Sequence, residues 1–187
     1  MRRGNGWSLA VAAAVMTALP SCGGGGGGGG GGVTTSSTPP PTPAPPVVVA
    51  QVTGFSLRAG FTGRLPFTTT RAGTIDATVD WTFATNDVDV ALVRGDCTFE
   101  QFEASQCTVL SFAISVTTKP ERVRSDNAAA GAYTLFVENT GPTDESVSLQ
   151  VVLTPSATGS TGSVEAAAAG TSMPGWKTPA RGHVDIR

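Results

Sequence analysis

The sequence predicts an all-β protein whose folded part, residues 47–155, is an antiparallel β-sandwich of about seven to nine short strands. Apolar and polar side chains alternate with period two along several runs between residues 54 and 153, as they do in strands that are buried on one face. Turn-forming residues separate these runs, and no stretch of comparable quality carries an apolar stripe at helical spacing. Clean alternation of this kind favours antiparallel over parallel pairing.

Five runs carry the alternation, and each presents one apolar face to the predicted core. They are "TIDATVDW", "VDVALVR", "VLSFAISV", "AYTLFVEN" and "SVSLQVVL". The side chains predicted to face the core are Ile75, Ala77, Val79 and Trp81; Val88, Val90 and Leu92; Leu110, Phe112, Ile114 and Val116; Tyr133, Leu135 and Val137; and Val147, Leu149, Val151 and Leu153. Between the second and third runs, "TFEQFEAS" at residues 98–105 predicts one short helical turn.

The first 21 residues have the layout of a signal peptide. A pair of arginines is followed by 13 uncharged and mostly apolar residues, 7–19, a run shorter than the roughly 20 residues of a helix that spans a bilayer. The following "LPSC" resembles the lipobox of bacterial lipoproteins through Leu19, Ser21 and Cys22, whereas Pro20 departs from it. The resemblance implies cleavage before Cys22 and lipidation of its thiol, and an ordinary secretory signal is the alternative.

Residues 22–46 and 156–187 lack the composition of a packed core. Ten glycines at 23–32 are followed by a Thr/Ser patch and then by "PPPTPAPP", so a flexible segment precedes a polyproline II spacer. The sequence therefore predicts a disordered tether between Cys22 and the sandwich, and a disordered tail over residues 156–187. Within that tail, Trp176 in a basic context is a candidate docking motif.

The runs "GTIDATVDWTFATNDVDVALV" and "AAGAYTLFVENTGPTDESVSLQVVL" resemble the bacterial pre-peptidase C-terminal (PPC) domain. The positions that match its recurring features are Gly73, Asp87, Asp89, Leu92, Gly131, Tyr133 and Val137. The resemblance implies a small jelly-roll-like sandwich of the kind that secreted proteases and other exported proteins carry. It also implies that residues 55–73 are the opening strand pair.

Cys97 and Cys107 are the cysteines that remain when Cys22 is assigned to the lipid. An even pair in an exported protein predicts a disulfide, which here would close a loop of about eleven residues and contribute roughly 2–3 kcal/mol to stability. A zinc site is disfavoured because neither a further cysteine nor a histidine lies nearby in the sequence.

Charge and composition disfavour nucleic-acid binding and most kinds of catalysis. Residues 47–155 contain seven basic and 12 acidic side chains, whereas nucleic-acid binding depends on clustered Lys and Arg. The single histidine, His183, lies in the predicted tail, so we expect no Ser-His-Asp or Cys-His arrangement within the domain. The expectation is a protein that is not an enzyme and has no catalytic residues and no obligatory cofactor.

Four aspartates form a candidate calcium site. Asp87 and Asp89 lie where a turn leads into the second run, and Asp76 and Asp80 lie on the outward face of the first. If the two strands are neighbours, the carboxylates cluster as the hard oxygen ligands that calcium prefers. The alternative is a solvated acidic face beside a turn formed by Asn86 and Asp87.

Three phenylalanines form a candidate contact patch. Phe99 and Phe102 lie inside the disulfide loop, and Phe136 is on the outward face of the fourth run. Exposed apolar side chains that lie together mark interaction surfaces, so the three are predicted binding residues.

Together these features predict a non-enzymatic protein that is exported and held by its lipid on a bacterial membrane, at the periplasmic face of the outer membrane or at the cell surface. It would display a binding or accessory module for an envelope protein or a glycan. A carbohydrate-binding module of another sandwich family is one alternative and requires exposed aromatics on a sheet face. A small carboxylate-dependent hydrolase is the other and requires a cleft with two carboxylates about 5–9.5 Å apart.

Overall fold

The computed structural model describes residues 44–116, 118–157, 176 and 181–187. Nine strands and one short helix follow one another in these ranges. They are β1 Val47–Leu57, β2 Phe61–Thr69, β3 Gly73–Trp81, β4 Val88–Arg94, α1 Phe99–Glu103, β5 Thr108–Ala113, β6 Glu121–Ala128, β7 Gly131–Asn139, β8 Glu145–Pro155 and β9 Gly182–Asp185. The predicted all-β antiparallel sandwich is confirmed, and among the described strands the pair β2–β9 is the one parallel pair.

The strands form two sheets that bury their inner faces against each other. The four-stranded sheet has the order β1-β8-β3-β6, and the five-stranded sheet has the order β5-β4-β7-β2-β9. Alternate residues of both sheets, such as Ile75 and Val79 in β3 and Val90 and Leu92 in β4, meet in one main core. The period-two pattern therefore forms this fold because it places one apolar face of each strand out of water.

The chain enters the sandwich at one end, which we call the near end. Val47 is paired with Leu153, and Gly73 is paired with Pro155. The described residues of the loops at the opposite, far end are 58–60, 82–87, 114–116, 118–120 and 140–144. At the near end the hydroxyl of Tyr133 donates a hydrogen bond to the carbonyl of Ala129, which fixes the turn between β6 and β7 in the manner of a tyrosine corner.

One predicted face is wrong in β5. The pairing of β4 with β5 shifts register between Leu92 and Val93, and such a bulge changes which residues of a strand point inward. Leu110 packs against the main core as predicted. Phe112 is instead 40% exposed, and Val116, which lies beyond the end of the strand, is 76% exposed.

Two strands were not predicted from the sequence. β6 reads "ERVRSDNA" and forms because its backbone pairs with β3 while Arg124 bridges Asp76 and Asp126 at 3.1 and 3.0 Å. β9 corrects the prediction that residues 156–187 are a disordered tail, because Gly182–Asp185 pair with β2 and Ile186 is 2% exposed within the main core. The remainder of the predicted tail, apart from residues 156, 157, 176, 181 and 187, lies outside the described residues.

Candidate functional site

The outer face of the five-stranded sheet is covered by a second hydrophobic cluster. Ala91 and Val93 of β4 and Phe136 of β7 alternate with core residues and therefore point away from the main core. They pack against Phe102 and the two cysteines of the loop that follows β4. This sheet is thus buried on both sides over much of its area, which explains why six of the seven residues of β4 are buried.

A disulfide and a capped helical turn hold this covering loop in place. Cys97 and Cys107 are joined as predicted, with their Cα atoms 6.2 Å apart. Thr98 and Gln101 form a capping box at the start of α1, in which each side chain accepts a hydrogen bond from the other's backbone amide. Thr134 of β7 accepts a bond from the amide of Cys97 and donates one to the carbonyl of Gly95.

The structure brings the three predicted contact residues together but does not expose them as a patch. The ring of Phe136 lies 4.0 Å from that of Phe102 and 5.7 Å from that of Phe99, measured between centroids. Phe136 is 0% and Phe102 is 7% exposed, while Phe99 is half-buried. The prediction of an exposed patch is therefore wrong, because α1 folds back and its two phenylalanines close over the sheet.

Two residues of the predicted tail complete this cover. The ring of Trp176 meets the ring of Phe102 edge-on at 5.1 Å, and the imidazole of His183 stacks on Phe99 at 4.2 Å. The Nε2 atom of His183 also lies 3.1 Å from the Oε1 atom of Glu103. The aromatic surface is thus occupied by the protein's own chain.

Arg64 of β2 connects β9 to the disulfide loop. Its guanidinium lies 3.2 Å from the carboxylate of Asp185 and forms a second ion pair with Asp96. Its Nε atom donates a 2.7 Å hydrogen bond to the carbonyl of Cys97. A planar guanidinium suits this role because it offers several donors in fixed directions.

A row of polar side chains crosses the same outer face nearer the far end. Asp89 of β4 is directly opposite Glu138 of β7, which in turn is opposite Thr62 of β2, and His183 of β9 follows. Asp89, Glu138 and Thr62 are buried. The alternation in "VDVALVR" predicts that Asp89 faces away from the main core, and the structure shows that this position is nevertheless buried.

The four candidate calcium ligands are divided between the two sheets and the far-end loop that contains Asp87. Asp76 and Asp80 belong to β3 of the four-stranded sheet, and Asp89 belongs to β4 of the five-stranded sheet. The expectation that these strands are neighbours is therefore wrong, because β4 pairs with β5 and β7. Within the described ranges no group of three or more His, Cys, Asp or Glu side chains is arranged to hold a metal ion.

Asp76, Asp80 and Asp87 each contact a named protein group. Asp76 pairs with Arg124 at 3.1 Å, and Asp80 pairs with Lys119 at 3.3 Å. Asp87 accepts a 2.9 Å hydrogen bond from the hydroxyl of Thr140. These contacts engage Asp76, Asp80 and one carboxylate oxygen of Asp87 within the protein.

At the far end, a buried amide network ties three loops together. The side-chain amide of Asn86 donates to Asn139 Oδ1 at 3.2 Å and to the carbonyl of Thr143 at 2.9 Å. The amide of Asn139 donates to the carbonyls of Leu57 and Thr143. A Cβ atom at Gly141 would lie 1.5 Å from Asn86 Oδ1, so glycine is the residue that leaves room for this network.

The positions that resemble the PPC domain have structural roles here. Gly73 packs so closely that a Cβ atom would lie 2.2 Å from the carbonyl oxygen of Thr154, and Gly131 has φ of 146°. Tyr133 fixes the near-end turn through its hydroxyl, and Asp87 holds Thr140. These contacts maintain strand pairing and loop closure.

The far-end loops carry two of the most exposed large apolar side chains of the described residues. Phe83 is 54% exposed and Val116 is 76% exposed. The Nζ atom of Lys119 lies 5.7 Å from the ring of Trp81 and donates a 3.4 Å hydrogen bond to the carbonyl of Thr82, the residue before Phe83. Beneath the loop, Glu121 is buried and accepts a hydrogen bond from the amide of Ser115 at 3.1 Å, and burial raises the pKa of its carboxyl.

The predicted signal peptide, the lipidation residue Cys22 and the tether up to residue 43 lie outside the described residues. In the part of the chain that the structure describes, none of the helical structure has the length and apolar character needed to cross a membrane.

Comparison with known proteins identifies no relative: no protein-family model and no curated protein matches the chain. The resemblance to the PPC domain therefore stays a prediction.

The functional positions that sequence reasoning missed are those of residues 181–187 and their partner Arg64. The sequence "GHVDIR" alternates His183 and Asp185 with Val184 and Ile186. That alternation is a strand signal, but it spans few residues and follows a region rich in Gly, Pro and Ala. Nothing in the sequence assigns it to the edge of β2.

Proposed function

We propose that this protein is a non-enzymatic, lipid-anchored module of the bacterial cell envelope that resembles the PPC domain and binds an envelope protein. It is exported through its signal peptide and attached to the membrane through Cys22. The sandwich is presented on the tether of residues 22–46. It serves as a binding or accessory module and carries out no chemistry of its own.

The observation that carries this proposal is the order of features along the chain. A lipobox-like "LPSC" directly precedes ten glycines and a proline cluster, and these precede a domain with a disulfide. Disulfides persist in exported proteins and are rare in the bacterial cytosol. A lipid on the residue that begins a flexible tether is a durable anchor when several acyl chains are attached.

The geometry of the sandwich supports a binding surface at its far end. The chain enters at Val47 on the near end, so the far-end loops are the part of the domain most distant from that point. They expose Phe83 and Val116, and Lys119 reaches the carbonyl of Thr82, the residue before Phe83. Apolar side chains flanked by charged ones are typical of protein contacts of modest size.

The two alternatives receive less support from the same observations. A sugar-binding platform needs several exposed rings on a sheet face. Phe112 of β5 is 40% exposed, whereas Phe102 and Phe136 are buried under the protein's own chain. A hydrolase needs two carboxylates in an open cleft, whereas the opposed pair Asp89 and Glu138 is buried.

Photo-crosslinking in intact cells tests this proposal. A photoreactive amino acid at position 83 should give discrete adducts with an envelope protein. The same group at Gln150, which is exposed on β8, should give only background. Val116→Ser combined with the probe at position 83 should reduce the adducts. Equal labelling from positions 83 and 150 would refute a far-end binding surface.

A further inference from the structure

The last described segment of the chain, residues 181–187, completes the sandwich at a single edge. Its strand β9 pairs with β2 and with no other described strand. β9 begins beside Phe61 at the far end, whereas β8 ends with Pro155 at the near end. The connection, residues 156–181, therefore links opposite ends of the domain through 26 residues that are rich in Gly, Ala, Ser and Thr.

The edge of β2 has a socket that fits this segment, which we call the donor segment. Gly63 of β2 lacks a side chain, and Ile186 fills the space: a Cβ atom at position 63 would lie 2.7 Å from Ile186 Cδ1. The amide of Ile186 donates a 2.8 Å hydrogen bond to the carbonyl of Arg64. Ile186 thereby joins the main core although it follows the last strand.

The side chains on the outer side of the donor segment also have specific partners on the acceptor edge. The imidazole of His183 stacks on Phe99 and contacts Glu103, and the carboxylate of Asp185 meets the guanidinium of Arg64. The acceptor edge thus recognises an extended peptide with an imidazole, a carboxylate and a branched aliphatic side chain at positions 183, 185 and 186. This is the chemistry of strand addition, in which backbone bonds give affinity and side-chain pockets give specificity.

A second copy of this chain carries the same donor segment and the same acceptor edge. Exchange between two copies replaces each contact within a molecule by an identical contact between molecules, so the contacts themselves favour neither arrangement. The balance depends on the effective concentration that the connection provides, which is of the order of mM for a short flexible linker and falls with length.

We propose that the donor segment docks on the β2 edge of a second copy, so that two molecules form a reciprocally strand-exchanged dimer when their local concentration is high. Confinement to a membrane surface supplies such a concentration, and this part rests on the proposed lipid anchor. The acceptor edge and the donor segment themselves do not depend on the anchor.

The test uses two variants of the soluble Cys22→Ser chain, each lacking one half of the interaction. Gly63→Val fills the socket and disables the acceptor, and Ile186→Asp disables the donor. Neither variant can dock its segment within the molecule. In an equimolar mixture, the intact donor of Gly63→Val should dock on the intact acceptor of Ile186→Asp. Native mass spectrometry should show a heterodimer at least about tenfold above the dimer level of either variant alone.

A labelled peptide of residues 181–187 provides a second measurement. It should bind the Ile186→Asp chain, whereas the same peptide with Ile186→Asp should not. Ile186→Ala replaces Ile186→Asp if near-ultraviolet circular dichroism shows that the aspartate variant is unfolded. A mixture of folded variants that stays monomeric, together with a peptide that does not bind, overturns the proposal. The Cys22→Ser chain carries no lipid at position 22, so a negative result here would not bear on the proposed lipid anchor.

Discussion

At the scale of single residues, the polar side chains inside the far end are more informative than the apolar ones. Apolar residues are in the core because apolar and polar side chains alternate along the strands, as the sequence predicts. Buried polar residues persist only where hydrogen bonds compensate for the loss of water. Asn86, Asn139 and Glu121 are such residues, and each holds a loop that the sequence alone leaves unplaced.

Glu121 should make the stability of the domain depend on pH. Desolvation by burial raises the pKa of its carboxyl above the ordinary value of 4.5, against the hydrogen bond from Ser115 and with a smaller contribution from Asp87. Because the folded state then binds a proton more tightly than the unfolded state, this contribution to stability is fully present below about pH 4.5 and is lost as the pH rises through the raised pKa.

The substitution Glu121→Gln removes this titration while keeping an acceptor for the amide of Ser115. We expect the free energy of unfolding of the variant to increase relative to that of the wild type as the pH rises from about 4 to about 7, because the wild type loses the Glu121 contribution over this range. Urea unfolding at both pH values measures it. A difference that does not change with pH would show that the Glu121 carboxyl has no raised pKa.

Asn139 should be among the polar residues on which stability depends most. Its side chain is fully buried, donates to the carbonyls of Leu57 and Thr143, and accepts from Asn86. Asn139→Ala removes the side-chain donor to the Leu57 carbonyl and the acceptor for one N–H of Asn86, while Asn86 still donates to Thr143. We expect a loss of about 2–4 kcal/mol in the free energy of unfolding. The exposed Gln150→Ala is the control and should change it by less than about 0.5 kcal/mol. Comparable effects at the two positions would contradict the buried network.

At the scale of elements, the five alternating runs are strands as predicted, because burial of one face dictates their pattern. The elements that the sequence did not reveal are those stabilised mainly by their neighbours. In β6, Val123 is the one buried apolar side chain between the two exposed arginines. β9 is only four residues long. The prediction that Phe112 faces the core is wrong because a bulge in the β4–β5 pairing breaks the period-two pattern of β5. Nothing in the local sequence "VLSFAISV" indicates this bulge.

The sequence predicts which residues form the candidate site, but it does not predict that these residues are buried. Phe99, Phe102 and Phe136 were identified, and they do lie together. Their burial depends on α1 turning back over the sheet and on Trp176 and His183, which approach from distant parts of the chain. Contacts over such separations are not encoded in the local pattern of either segment.

The disulfide loop should be stabilising as an element. Cys97→Ser with Cys107→Ser releases a loop of about eleven residues and is expected to lower the free energy of unfolding by about 2–3 kcal/mol. Denaturant unfolding with and without reductant measures this. The wild-type midpoint should fall in reductant, while the double variant should be insensitive to it. A wild-type midpoint that reductant leaves unchanged would argue against a stabilising Cys97–Cys107 bond.

At the scale of the whole molecule, the described domain is a two-sheet sandwich whose edge is completed by a strand that follows its eighth strand after 26 residues. The main core is shared by both sheets and by Ile186. A fragment that stops at residue 155 therefore lacks part of the core, and binding experiments on this protein should retain residues 181–187.

The central claim for the whole protein is that Cys22 anchors this sandwich to a membrane. Intact-mass analysis of the protein purified from the membrane fraction tests it most directly, with Cys22→Ala as the matched control. We expect a mature chain that begins at Cys22 and carries a diacylglycerol and an N-terminal acyl group, and we expect the Cys22→Ala chain to lack this species. An unlipidated chain cleaved at another position and recovered in the soluble fraction would contradict the claim.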